Sequence, residues 1–121
     1  MQSSGEKNDY TAKLRMLHRE LYRNPQDFKS PDAIAEELHI SKSYFQLLYK
    51  KQFSIAFHAD LLNAQLDKAK HLLRDTTLRI YEIAESCGFI NTTHFMKQFK
   101  AKVGMTPMQY RQENASANNI S

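Results

Sequence analysis

Cysteine occurs once in this chain, tryptophan not at all, and glycine and proline three times each. The single thiol, Cys87, excludes an internal disulfide, and no second thiol or close histidine stands by it to complete a metal site. Its place on an apolar stripe marks it as a small packed side chain. There is no glycine-rich phosphate loop, no metal-ligand spacing and no nucleophile with a base nearby, so no catalytic, cofactor or metal residues are assigned and an enzyme is not expected. No apolar run reaches the roughly 18 residues that would span a bilayer, and MQSSGEKND lacks the apolar segment of a secretory leader. The expectation is a cytoplasmic protein without a membrane partner. Neither charge sign dominates: 17 Lys and Arg face 13 Asp and Glu, a net +4 that permits a nucleic-acid partner without requiring one. What remains is a chain of 121 residues, 41% hydrophobic, able to bury one core or two small cores that share a helix.

The best organised stretch is LRIYEIAESCGFINTTHFMKQFKAKVG, from Leu78 to Gly104. Ile80, Ile83, Ala84 and Cys87 fall at i, i+3, i+4 and i+7, the buried stripe of a short helix. Gly88 can take a positive φ cheaply and end it. Asn91 caps a second helix, whose Phe95, Phe99 and Val103 recur on an inner face until Gly104 stops it. Two short amphipathic helices joined by a tight turn make a helix-turn-helix, in which the second helix can lie in a DNA major groove.

The earlier part of the chain carries a copy. After a non-periodic start over residues 1–9, read as a tail or linker remnant, Leu14, Leu17 and Leu21 predict a helix from about Tyr10 to Arg23, closed by Asn24-Pro25. His18 sits at the edge of that stripe, in a packed or surface role. Ser30-Pro31-Asp32 is a serine cap, a proline where a missing N–H costs nothing, and an acid at the positive helix end. Ile34, Ala35 and Leu38 face inward, and Ser41 caps a further helix to about Phe53 with Phe45, Leu48 and Tyr49 on its inner side. Ile34-Ala35-Glu36 recurs 49 positions on as Ile83-Ala84-Glu85; past the turn the offset becomes 50, aligning Ser41 with Asn91, Phe45 with Phe95, Tyr49 with Phe99 and Ser54 with Gly104. One residue has been added in the second turn.

Between the copies, Ile55 to Arg74 reads as one helix striped by Leu62, Leu66, Ala69 and Leu73. Its roughly 30 Å length is close to the roughly 34 Å between successive major grooves, although a helix of this size can equally serve only to join two subdomains. The expected architecture is all-α, two helix-turn-helix subdomains joined by a long central helix, about seven helices in total. Its parts are residues 10–54, 55–74 and 75–112, with tails at 1–9 and 113–121.

The pattern Ile80-x-x-Ile83-Ala84-x-x-x-Gly88-Phe89, then Phe95-x-x-x-Phe99-Lys100, then Gly104-Met105-Thr106-Pro107-x-x-Tyr110-Arg111, resembles the signature of the arabinose-regulator (AraC/XylS) family of bacterial transcription regulators. The likeness runs from about Leu14 to Arg111 and takes in Ala69-Lys70-x-Leu72-Leu73 of the long helix. It implies sequence-specific binding of double-stranded DNA, with helices at about 42–53 and 92–103 in adjacent major-groove segments. The family's DNA-reading positions fall on Ser43, Gln46 and Leu47 in the first unit and on Thr92, Thr93, His94, Met96 and Lys97 in the second. Gln46 suits adenine, Lys97 guanine or phosphate, the threonines a base edge or backbone, and Leu47 and Met96 a thymine methyl. Four of them have a bland alternative: Leu47 beside Leu48 and Met96 beside Phe95 can be core, His94 packed or merely superficial, Lys97 a solvated cation. Lys42, Lys50, Lys51, Lys100 and Lys102 are phosphate candidates by charge and place.

Departures from the family pattern fall mostly in the first half. His39 stands where the first turn usually has glycine, at a cost of about 1 to 2 kcal/mol if left-handed. Arg79 replaces a small capping residue, Asp60 and Gln65 stand where the linker helix commonly has tyrosine and arginine, and Leu47 occupies a place often held by arginine. The first unit is therefore expected to bind more weakly than the second. The resemblance also implies an N-terminal sensing or receiver domain in a longer protein, with a free-standing small regulator as the other reading. The alternative function is a helical protein-interaction module, docking on RNA polymerase or another regulator.

Overall fold

Four helix starts in this chain are fixed by a side-chain oxygen of the residue before the helix. Ser30 Oγ accepts from the Ala33 amide at 3.3 Å, Ser41 Oγ from Tyr44 at 3.1 Å, Asn91 Oδ1 from His94 at 2.7 Å and Thr106 Oγ1 from Gln109 at 3.1 Å. Each satisfies an amide that the first helical turn leaves without a partner. Arg79 has no such oxygen; there the Glu82 carboxylate turns back and accepts from the Arg79 amide at 2.8 Å. That reciprocal half of a capping box is why the unusual cap residue is tolerated.

The computed structural model describes residues 10–28 and 30–115 in full and residues 2–9 as the backbone of the first helix. Among the described residues the chain is all-α: α1 Gln2–Arg23, a 3-10 turn Pro25–Asp27, α2 Pro31–Glu37, α3 Lys42–Phe53, α4 Phe57–Asp75, α5 Ile80–Ser86, α6 Thr92–Val103 and α7 Pro107–Asn114. Three boundaries differ from the sequence expectation. The backbone of α1 begins at Gln2, so residues 2–9 continue the helix in place of the expected tail; once a helix is nucleated, adding residues ahead of its apolar stripe costs little. The long helix starts at Phe57, leaving Ile55 and Ala56 in the turn after the left-handed Ser54. The last helix runs on to Asn114, whose side chain donates to the Tyr110 carbonyl at 2.8 Å, so residues 113 and 114 are helical where a tail was expected; residues 116–121 lie outside the described ones.

The helices form two compact units, Met1–Asn63 and Ala64–Ser121. In the first, Leu14 and Leu21 of α1, Ile34 and Ala35 of α2, Phe45 and Tyr49 of α3 and Phe57 of α4 are buried. The rings of Phe45, Tyr49 and Phe57 meet edge to face at 5.2 to 5.9 Å, a geometry that adds to area burial. In the second, Leu66, Ala69 and Leu73 of α4 are buried, as are Ile83, Ala84 and Cys87 at α5, Phe89 in the turn and Phe95 and Phe99 of α6. Burial pushes the Cys87 thiol up to about 11, so it remains a neutral packing group.

Carbonyls at helix ends are met as carefully as amides. In the second unit Gln65 Nε2 donates to the Cys87 and Gly88 carbonyls at 3.2 Å each, and Lys68 Nζ to Ser86 at 3.0 Å, closing the carboxyl end of α5. Arg111 Nε donates to Leu73 at 3.0 Å and its Nη2 to Thr76 at 3.1 Å, closing the carboxyl end of α4. Gln65 and Arg111 are thus structural donors, each spending its amide or guanidinium on the backbone of its own unit. The described residues contain no helix long and apolar enough to cross a membrane.

Candidate nucleic-acid interface

The turn that leads into each second helix is built the same way. After α2 the Ile40 amide bonds back to Ala35 at 3.0 Å and the His39 amide to Glu36 at 3.1 Å, with His39 at φ 61°. After α5 the Phe89 amide bonds back to Ala84 at 3.0 Å and the Gly88 amide to Glu85 at 3.1 Å, with Gly88 at φ 86°. This is a Schellman closure in both units, once on histidine and once on glycine. The second helices end alike, on Ser54 at φ 61° and on Gly104 at φ 92°.

So positioned, α3 buries Phe45 and Tyr49 and turns Ser43, Gln46, Leu47 and Lys50 outward, at i, i+3, i+4 and i+7. Leu47 is 61% exposed, which removes its reading as core. Helix α6 buries Phe95 and Phe99 and turns out Thr93, Met96, Lys97 and Lys100 at the same spacing, with Met96 44% exposed. Thr92 is half-buried at the start of α6; His94 is exposed, its ring 6.0 Å from that of Phe89. Lys42, Lys51 and Lys102 are also exposed. Lys42 lies 3.9 Å from the Asp32 carboxylate, both in solvent, a pairing worth at most about 1 kcal/mol. Among the described residues Lys50, Lys51, Lys97, Lys100 and Lys102 form no ion pair.

A groove of about 700 Å³ in the first unit is lined by Ser43, Gln46, Leu47, Lys50 and Lys51 of α3 and by Phe57 and His58 from the start of α4. His58 is exposed there, beside the first-turn amides of α4, which no helical carbonyl can pair. Sequence reasoning passed over His58 because it belongs to the helix assigned only a connecting role; its place at that helix's positive end was the available signal.

A sequence model of the family described as a helix-turn-helix domain matches residues 34–113, from the buried face of α2 to the last turn of α7. The chain is an AraC-type helix-turn-helix domain. Members of the AraC family are DNA-binding transcription regulators, and this AraC-type domain is one of their DNA-binding parts. It is 33% identical over 84 residues to the xylose operon regulatory protein of Escherichia coli (strain K12), taking in 69% of this chain and 21% of that protein. It is 35% identical to the C-terminal domain of the two-component response regulator yesN of Fusobacterium nucleatum, with a TM-score of 0.75 over 85% of this chain and 98% of that one. The fold is also that of the DNA-binding domain of AdpA, a global transcriptional factor solved in complex with a target DNA, at a TM-score of 0.77, 19% identity and coverage of 92% and 97%. The chain spans about a third or less of the length of the curated relatives it matches, from 11% to 34%.

Proposed function

We propose that this AraC-type domain reads duplex DNA with α3 and α6 in successive major grooves, as the C-terminal part of a longer bacterial regulator working in the cytoplasm. The observation that carries the reading is the duplication of one outward stripe, Ser43, Gln46, Leu47 and Lys50 on α3 and Thr93, Met96, Lys97 and Lys100 on α6, each opposite two buried aromatic rings. Base edges fall to Ser43, Gln46, Leu47, Thr92, Thr93, His94, Met96 and Lys97, and phosphates to Lys42, Lys50, Lys51, Lys100, Lys102 and the added His58. The 19 residues of α4 make a helix of about 28 Å, a length suited to the roughly 34 Å repeat of the groove. The small share of its relatives that the chain spans, with its likeness to domains that are C-terminal in two response regulators, supports an N-terminal sensing or receiver domain alongside it.

Selection from a pool of random duplexes tests this directly: a recovered site with two half-sites about one helical turn apart is the expected result. Log affinity for that site should fall against log salt with a slope of about −5 to −8, for roughly six to nine phosphates neutralised. No enriched duplex, together with a salt-independent complex with RNA polymerase, would reverse the assignment in favour of a protein-docking module.

A further inference from the structure

Asp60 is the one charged side chain buried in the described core, 3% exposed, and its carboxylate gathers donors from two other helices of its unit. Tyr22 of α1 donates its hydroxyl to Oδ1 at 2.5 Å, and Tyr49 of α3 donates to Oδ2 at 2.6 Å. His18 of α1 brings Nε2 to 3.2 Å of the same Oδ2 while its ring stacks on Phe53 of α3, centroids 4.4 Å apart and planes 16° off parallel. The second unit lacks this arrangement. At the offset of 50 that relates the halves, Tyr49 becomes Phe99 and Asp60 becomes Tyr110, and those two meet as rings at 5.6 Å. A hydroxyl and its acceptor in one unit are replaced together by an aromatic pair in the other.

The two solutions differ in what they fix. Apolar contact is non-directional and tolerates rotation of a helix about its own axis. Hydrogen bonds of 2.5 to 2.6 Å do not. A roll of about 20° would carry a side-chain tip, about 6 Å from the helix axis, through about 2 Å, enough to break any base contact it makes. We infer that Asp60 is a positioning residue for DNA reading, a tether that ties α3 and α1 to α4 and sets the roll at which Ser43, Gln46 and Leu47 are presented. The inference rests on the DNA-reading function proposed above.

The test uses the 121-residue chain, a duplex that it selects from a random pool, and a random-sequence duplex of equal length. Asp60→Asn should keep its helical signal yet lose at least about tenfold in preference for the selected duplex, with affinity for the random one changed less than about twofold. A residue that only added stability would lower both affinities by the same factor through the unfolded fraction, so an unchanged ratio overturns the tether. Should Asp60→Asn fail to fold, the pair Tyr49→Phe with Asp60→Tyr grafts in the second unit's aromatic contact. It should fold and still lose preference, since the Asp60 carboxylate that Tyr22 and His18 hold is then gone; wild-type preference in the graft overturns the inference. If the wild-type chain selects no duplex, the DNA reading itself fails, and amide exchange judges Asp60 alone. Exchange in α3 should then rise at least about tenfold in Asp60→Asn with α6 unmoved, and equal protection of α3 in variant and wild type would end the proposal.

Discussion

The two helix-turn-helix units use one plan with different local chemistry, and the differences separate what the plan needs from what it tolerates. Both need an oxygen cap before the second helix, two aromatic rings beneath it and a left-handed residue at each turn. The second unit meets the left-handed positions with Gly88 and Gly104; the first meets them with His39 and Ser54, which carry a steric cost that glycine does not. The second holds its α6–α7 contact by the edge-to-face rings of Phe99 and Tyr110, the first its α3–α4 contact by a phenol on a carboxylate. Backbone geometry is thus the invariant, and side-chain chemistry is the part free to diverge.

The strongest way to break the parallel is through the cores. Phe95→Ala and Phe45→Ala each remove a fully buried ring and should each cost about 3 to 5 kcal/mol in denaturant unfolding. A melting temperature left in place by either would show that its unit does not depend on that ring. Next comes the exchange of hydroxyls. Burial and the Asp60 carboxylate push the Tyr49 phenol well above its usual range, so it stays a donor at any ordinary pH. Tyr49→Phe takes that donor from a buried carboxylate and should cost about 1.5 to 3 kcal/mol, and Phe99→Tyr, which buries a hydroxyl where Tyr110 replaces the Asp60 carboxylate, about 1 to 3 kcal/mol. Stability gained by Phe99→Tyr would mean the two pairs are interchangeable after all.

The reading faces come third. Lys97→Ala and Gln46→Ala should each weaken binding to the selected site by about 1 to 3 kcal/mol. Only the lysine should also shallow the salt slope, by about one if it reaches a phosphate. Equal losses on selected and random duplexes would remove either residue from the base readers. The smallest effects belong to the turns. A Cβ built on Gly104 meets nothing within 4 Å, so Gly104→Ala should cost only the backbone strain, about 1 kcal/mol. Ser54→Gly should return a few tenths of a kcal/mol to the first unit, the released strain set against added freedom in the unfolded chain.

Much of this architecture was legible in the sequence because caps and periodicity are local signals. Ser41, Asn91, Ser54 and Gly104 bound α3 and α6 at the residues expected, and the outward stripes follow from the buried ones. His39 takes the left-handed conformation whose cost its place in the turn raised. Leu47 and Met96 needed coordinates, since an apolar side chain beside a core residue reads the same whether it packs or projects. The Asp60 cluster was illegible for a different reason. Its partners are 11, 38 and 42 residues away in sequence, and a carboxylate in a helix is by default a solvated one. Gln65 shows the same limit: its absent positive charge was visible, but its bonds to two carbonyls of the following turn were not.

The guanidinium of Arg111 bears on how short this chain can be cut. A fragment stopped at Val103 keeps both candidate reading helices intact on paper, yet it strips the donor from the Leu73 and Thr76 carbonyls and the covering ring of Tyr110 from Phe99. The minimal portable version of the second unit therefore extends at least one helix past the last candidate reading residue.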